Sequence, residues 1–378
     1  MNLHIRRFQP VFSFSRLWCA LSIRNVLAAV VIVGVIPGAH GETDAVYGRL
    51  ITSLAVAVNP STHKAYAVDE PAGTVSVTDE RTGSTHRVKV GSGPIALAVN
   101  QATDRVYVVN DGSDSISVID GHHDVVIATI DIRRGSHPYV LAVDEAANKI
   151  YVTNTYSDAV TVIDGATNSV RQLKAGSADG IALDPRSNTI FLMTYEDPNI
   201  RILDAATGVI SKVTVGTHLW GIAFDEPLNT LYLAHTGTGN IVALNEKTHA
   251  VNTISAGSIP CAVAINPVTQ MIYAVNYGDE TVSVIDARRR KVVATLHVGK
   301  HPQAVAVDPL HNLIYIANVH SNNVTVIDGA KNAVIGTYSA GRNPYALAVD
   351  PTSGRVYAAN YGEPSVMAID VSRIAAQK

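Results

Sequence analysis

Hydrophobic and polar positions along this chain follow a three-part pattern that recurs eight times. An Ala/Val run ends in Asp or Asn, an aromatic-led run follows, and a β-branched run closes the unit in Asp. The clearest copy reads Pro302-Gln303-Ala304-Val305-Ala306-Val307-Asp308, then Ile314-Tyr315-Ile316-Ala317-Asn318, then Val324-Thr325-Val326-Ile327-Asp328. Runs of this length and composition, bounded by Asn, Asp and Gly, favour extended pairing over a helix. A fourth strand signal, such as Lys291 to Val298, lies between each third run and the next Gly. No long helical stripe breaks the pattern after the first forty residues.

The third runs end at Asp79, Asp120, Asp164, Asp204, Asn245, Asp286, Asp328 and Asp370, giving periods of 41, 44, 40, 41, 41, 42 and 42 residues. Four strands in a unit of that size point to an all-β fold, a β-propeller of four-stranded antiparallel blades. Each blade alone would expose two apolar faces, and packing against its neighbours buries both. After Asp370 no convincing fourth strand remains, whereas Ala45 to Thr52 reads as a strand without a blade. Eight blades are therefore expected, the N-terminal strand completing the last one and closing the ring. Seven blades with one degenerate copy outside is the alternative.

Charge and composition narrow the compartment more than the chemistry. The formal net charge of −3 gives no general attraction to nucleic acid or anionic membrane, and the run Arg288 to Lys291 reads as a solvated turn. Only 6% of residues are aromatic, so the core is expected to consist of Val, Ile and Ala. Arg6, Arg7, Arg16 and Arg24 precede an apolar stretch from Val26 to Ile36, and Pro37-Gly38-Ala39-His40-Gly41 follows. That stretch is too short to span a bilayer as a free helix. Residues 1–41 read as a secretory signal peptide, with an uncleaved anchor as the alternative, and 42–378 as a single propeller domain. Cleavage after Gly41 would leave Cys261 as the one cysteine and no internal disulfide.

The tetrapeptide Tyr151-Val152-Thr153-Asn154 has variants at Tyr107-Val108-Val109-Asn110, Tyr273-Ala274-Val275-Asn276 and Tyr357-Ala358-Ala359-Asn360. With the accompanying Gly-x-x-Pro and Val-Ile-Asp-Gly elements, the chain from about Leu54 to Asp370 resembles the YVTN-repeat β-propeller family of exported and surface-layer-type proteins. The resemblance implies a periplasmic, secreted or cell-surface location and a binding or scaffolding role without a shared reaction. Copies four and five depart from the pattern. Thr194 and His235 replace the repeat Asn, Leu219 replaces Pro, and Asn245 replaces the closing Asp.

In an up-and-down blade the fourth-to-first and second-to-third connections share one face. The candidate ligand or partner surface is the mouth these loops form, with His137, Tyr139, Asp179, Tyr195, His218, Trp220, His235, Tyr277, His301 and Tyr345 as its binding residues. His137, His218 and His301 occupy one repeat position in alternate copies. They are of metal-ligating type, but alternate blades hold them well apart, and hydrogen-bonded rim histidines are the reading preferred. The repeated Asp and Asn residues read as turn formers, and Cys261 as a packed thiol. Phosphate-loop, zinc-protease, Cys-x-x-Cys, covalent-haem and Gly-x-Ser-x-Gly motifs are absent.

Two functions remain. The first is an extracytoplasmic scaffold, expected as a monomer without cofactor, binding a small ligand or an envelope protein and neither nucleic acid nor, once the signal is removed, a membrane interior. The second is a metal-assisted lactonase or lyase using His137, His218, His235 and His301, with Asp179 or Glu196 as base.

Overall fold

The repeated runs form strands whose burial follows their composition. In the computed structural model, which describes residues 50–52, 55–361 and 366–371, blade six shows the rule. Its inner strand Pro260–Asn266 is buried at every position, whereas its outer strand Lys291–His297 alternates between exposed and partly buried residues. An inner strand touches other blades on both faces. The outer strand packs one face and leaves the other to water.

Eight antiparallel sheets stand around a central axis, their strands connected in sequence order. Blades one to eight span 56–89, 94–131, 138–174, 180–214, 219–255, 260–297, 302–339 and 344–370. The expected eight-bladed, all-β ring is present, and the seven-bladed alternative is excluded. Among the described residues the helical content is two three-residue 3₁₀ turns, Asp111–Ser113 and Val319–Ser321.

The interfaces between blades are built largely from Val, Ile, Leu and Ala, with one aromatic ring per blade in the second strand. Each fully buried Val or Ile contributes about 1.5–3 kcal/mol, so stability is distributed around the ring. The aromatic rings also carry a polar link. The Tyr66 hydroxyl of blade one donates to the Gly121 carbonyl of blade two, at 3.3 Å. The equivalent glycine in blade seven is confined by its neighbours: a Cβ on Gly329 would sit 2.8 Å from the Tyr273 hydroxyl of blade six and 2.3 Å from Asn312 Oδ1.

The expected mode of closure is corrected. Leu50–Thr52 does not join blade eight; it pairs antiparallel with the inner strand of blade three, placing Leu50 opposite Asp144 and Thr52 opposite Ala142. It thus lies on the channel side of that blade, and Ala45 to Arg49 lie outside the described residues. Blade eight has three strands among the described residues, Pro344–Asp350, Arg355–Asn360 and Val366–Asp370. The ring closes through side chains instead: Ala55, Val56, Val58, Ala65 and Ala67 of blade one pack against Tyr345, Ala346, Ala348, Tyr357 and Ala359 of blade eight. The inner edge of blade three offered unpaired backbone groups too, so a β-strand pattern alone did not distinguish the two partners. The signal peptide read at 1–41, with Cys19, also lies outside the described residues.

Candidate functional site

In six of the eight blades the residue before the inner strand is held in the left-handed backbone region, which explains the chemistry found there. Gly93, His137, His218, Ile259, His301 and Asn343 have φ of +61°, +49°, +63°, +51°, +50° and +50°. Gly, Asn and His tolerate this region better than most residues, whereas a β-branched residue such as Ile259 is strained in it. Each of these six residues accepts, through its carbonyl, an N–H from the loop after the second strand of its own blade: Asp111, Thr155, Thr236, Tyr277, Val319 and Tyr361, at 2.9–3.1 Å. The two sets of loops therefore share one face, as the blade topology requires. In blades two, three, five, six, seven and eight the next residues form a β-bulge, a device that re-aims side chains. Ile95, Tyr139, Trp220, Cys261, Gln303 and Tyr345 lie within these bulges.

The three repeat histidines remain apart, and each builds a local cluster with the preceding blade. His137 Nδ1 lies 3.0 Å from Asp111 Oδ1 of blade two, and its ring meets Tyr156 edge-on at 4.7 Å. Tyr195 of blade four meets His218 and Trp220 of blade five edge-on, at 5.0 and 5.3 Å. Tyr277 of blade six stacks on His301 of blade seven at 4.6 Å, and His301 in turn hydrogen-bonds to His320 through the two Nδ1 atoms. Burial and the adjacent His320 hold the His301 pKa below the usual imidazole value. These contacts place an imidazole and a Tyr ring at three of the eight junctions.

Blades four and five are rebuilt where the repeat breaks. In blades two, three, six and seven, the Nδ2 of Asn110, Asn154, Asn276 and Asn318 donates to Ser117, Thr161, Ser283 and Thr325 on the third strand, at 2.8–3.1 Å. Blade four has Thr194 and Arg201 at those two positions. The buried Arg201 guanidinium donates to the Ala175 carbonyl at 2.6 Å, to the Ser177 carbonyl, and to Thr194 Oγ1 at 2.8 Å. Asp179 accepts the Tyr195 N–H at 3.0 Å, taking over the role that a backbone carbonyl has elsewhere. Burial raises the Asp179 pKa, although that N–H and Arg201 oppose the shift.

The remaining candidates divide by depth. Trp220, Tyr139 and Tyr277 are partly buried, packed against the blade cores yet open on one side. Tyr345 and His235 are buried, both 8% exposed, so they support the mouth rather than form its surface. Burial lowers the His235 pKa, and its Nδ1 has no hydrogen-bond partner. Cys261 is buried beside the carbonyls of Val275 and Pro302, and burial pushes its thiol up to about 12, which suits a packed thiol and not a nucleophile. The Asp and Asn residues ending the third strands form turns: Asp120 Oδ1 accepts the N–H groups of His122 and His123, and Asn245 Oδ1 those of Lys247 and Thr248.

Two features lie away from the mouth. A cavity of about 420 Å³ between blades three and four is lined by Lys149, Asp164, Arg171 and Asn188 near the opposite turns. Its Asp164 is already engaged by the N–H groups of Ala166 and Thr167. The other feature is a trio that the sequence reading missed. Among the described residues, His63, Glu80 and Asp350 form a group whose ligand-type atoms all lie within 4.8 Å of one another. Aligning the copies would have exposed it, because Glu80 stands where Gly121, Gly165 and Gly329 follow the third strands of other blades. The mouth histidines proposed for the lactonase reading form no such group among the described residues.

No family model matches the chain, and no curated protein matches it in sequence. Solved structures do resemble it. Kuenenia stuttgartiensis hydrazine synthase is 19% identical with a TM-score of 0.58, over 84% of this chain and 95% of that one. The dihydro-heme d1 dehydrogenase NirN, in complex with DHE, is 12% identical with a TM-score of 0.67, over 84% of this chain and 72% of that one. At these identities the likeness extends to the fold.

Proposed function

We propose that this propeller is an extracytoplasmic binding scaffold of the YVTN-repeat type, and that its mouth recognises a small ligand or an envelope protein. The observation that carries the reading is the Tyr195–His218–Trp220 cluster across the junction of blades four and five. Rigid aromatic surfaces with polar tips contribute contact area at low entropic cost, the pattern of recognition sites. The blades that supply this cluster are also those that abandon the repeat, trading the Asn bridge for Arg201 and Asp179. The Arg-flanked apolar stretch before Glu42 supports export. A solved structure of similar fold is a complex with DHE, which is compatible with ligand binding by this architecture.

Trp220 supplies the test. The chain has two tryptophans, Trp18 and Trp220, so Trp18→Phe makes intrinsic fluorescence a report from the mouth. Titration with fractionated small molecules and proteins of the native envelope should shift that emission, and Tyr195→Ala and His218→Ala should abolish the shift while circular dichroism stays unchanged. A shift that survives both substitutions, or no response to any fraction, overturns the reading.

A further inference from the structure

The junction of blades eight and one carries two buried carboxylates without the counter-charge that the same positions receive elsewhere in the ring. Glu80 is 4% exposed and Asp350 is fully buried. The two carboxyls face each other, and no donor is aligned well enough on either oxygen of Glu80 or on Oδ2 of Asp350 to satisfy it fully. The polar groups beside them are the buried Ser353 and Tyr357 hydroxyls of blade eight, which lie against Glu80 and bring no positive charge. Arg355 does not neutralise the pair through an ion pair: its guanidinium donates to the Glu80 backbone carbonyl. Burying two facing carboxyls without a cation is costly in a folded protein, and charges buried this way are normally paired or bind a metal.

The repeat provides an internal comparison. The same sequence positions at the junction of blades four and five hold Asp184 and Glu246, again two buried acidic residues. There, however, Arg186 stands two residues after Asp184. Its Nε lies 3.1 Å from Asp184 Oδ1, and its Nη2 donates to Asn229 Oδ1 at 3.2 Å. Ser187 donates to Glu246 at 2.7 Å. At the closing junction Thr352 stands where Arg186 does, so the internal cation is missing, and His63 stands where Asn229 does, so an amide has become an imidazole. The substitutions remove a cation and add a metal-ligating group at one place. His63 is also fixed relative to Glu80, because the Glu80 N–H donates to the His63 carbonyl at 2.8 Å.

We infer that His63, Glu80 and Asp350 form a binding site for a single divalent ion of the zinc class, which bridges blade one to blade eight and fastens the ring. One imidazole and two carboxylates are N/O donors suited to Zn²⁺, which takes four ligands with bonds near 2.0–2.2 Å. The three donors, all within 4.8 Å of one another, are close enough to share one such ion. A hard ion such as Ca²⁺ would ask for six to eight oxygens, more than this cluster supplies. The ion would provide what Arg186 provides at the other junction. The inference stands independently of the mouth.

The test uses the full chain, stripped with EDTA and titrated with Zn²⁺ by calorimetry and by competition with a chromophoric chelator. Wild-type protein should take up one equivalent and melt at a higher temperature with zinc than without. Glu80→Gln should weaken uptake at least tenfold and abolish the melting shift. Thr352→Arg, which restores the cation of the blade-four junction, should do the same while its metal-free form melts no lower than wild type. The double variant His301→Ala/His320→Ala, which removes the imidazole pair at the mouth, should bind as wild type does. Absence of stoichiometric uptake by wild type, unchanged affinity in Glu80→Gln and Thr352→Arg, or loss of uptake in the mouth variant would each overturn the assignment.

Discussion

Single residues carry conformational and electrostatic stress that can be relieved without touching the fold. Ile259 is held at φ +51° and is 46% exposed; a left-handed β-branched residue costs about 1–2 kcal/mol, and little burial offsets it. Ile259→Asn should therefore stabilise the protein by about 1 kcal/mol, read as a higher urea midpoint at constant m-value; a lower midpoint would show that packing by Ile259 outweighs its strain. Asp225 carries an electrostatic cost. Burial pushes its carboxyl up to about 6, with the Leu228 N–H and Gln270 only partly opposing. The folded state then holds its proton at a pH where the unfolded chain has released it. This contribution to stability is complete below about pH 4 and is lost as pH rises through 6, leaving a cost of about 2–3 kcal/mol at neutrality. Asp225→Asn should exceed wild type in stability at pH 7 and match it near pH 3.5, a comparison made by chemical denaturation at both values.

At the scale of strands and loops, most of the design was legible because it repeats. The Ala/Val, Tyr-led and β-branched runs became inner, second and third strands, and the closing Asp residues became turn acceptors, since a period-two pattern and a local carboxylate–amide bond need no distant partner. The mouth histidines were legible as a set, but the reason for their placement was not: a left-handed φ leaves no mark in a sequence beyond tolerance for Gly, Asn and His. Nor could the sequence show that Arg201 replaces an Asn bridge, because that exchange depends on carbonyls of Ala175 and Ser177 brought in by the loop between blades three and four. Arg201→Ala should cost about 2–4 kcal/mol by stranding those buried acceptors. The pair Thr194→Asn with Arg201→Thr, which copies Asn154 and Thr161 of blade three, should recover most of the loss in thermal denaturation. Failure of that rescue would mean that blade four needs its guanidinium for packing as well as for hydrogen bonding.

For the whole molecule, closure sets where the ring opens. The junction of blades one and eight is packed mainly by alanines, Ala55, Ala65, Ala67, Ala346, Ala348 and Ala359. The cluster running through blades three to five instead uses larger side chains, among them Phe191, Leu192, Leu219, Phe224 and Leu233. Hydrophobic stabilisation scales with the apolar area removed from water, so the closing junction holds less than that side of the ring. Leu50–Thr52 cannot compensate, since it pairs with blade three. Opening of the ring should therefore begin between blades eight and one, and in metal-free protein the amides of Val56–Asn59 and Pro344–Asp350 should exchange with deuterium before those of Leu219–Asp225. Removing residues 45–53 should preserve this order and shift the melting temperature by no more than about 2–4 °C, the equivalent of roughly 1 kcal/mol in a domain of this size. A much larger loss, or exchange beginning at blades four and five, would show that the N-terminal segment and not side-chain packing closes the ring.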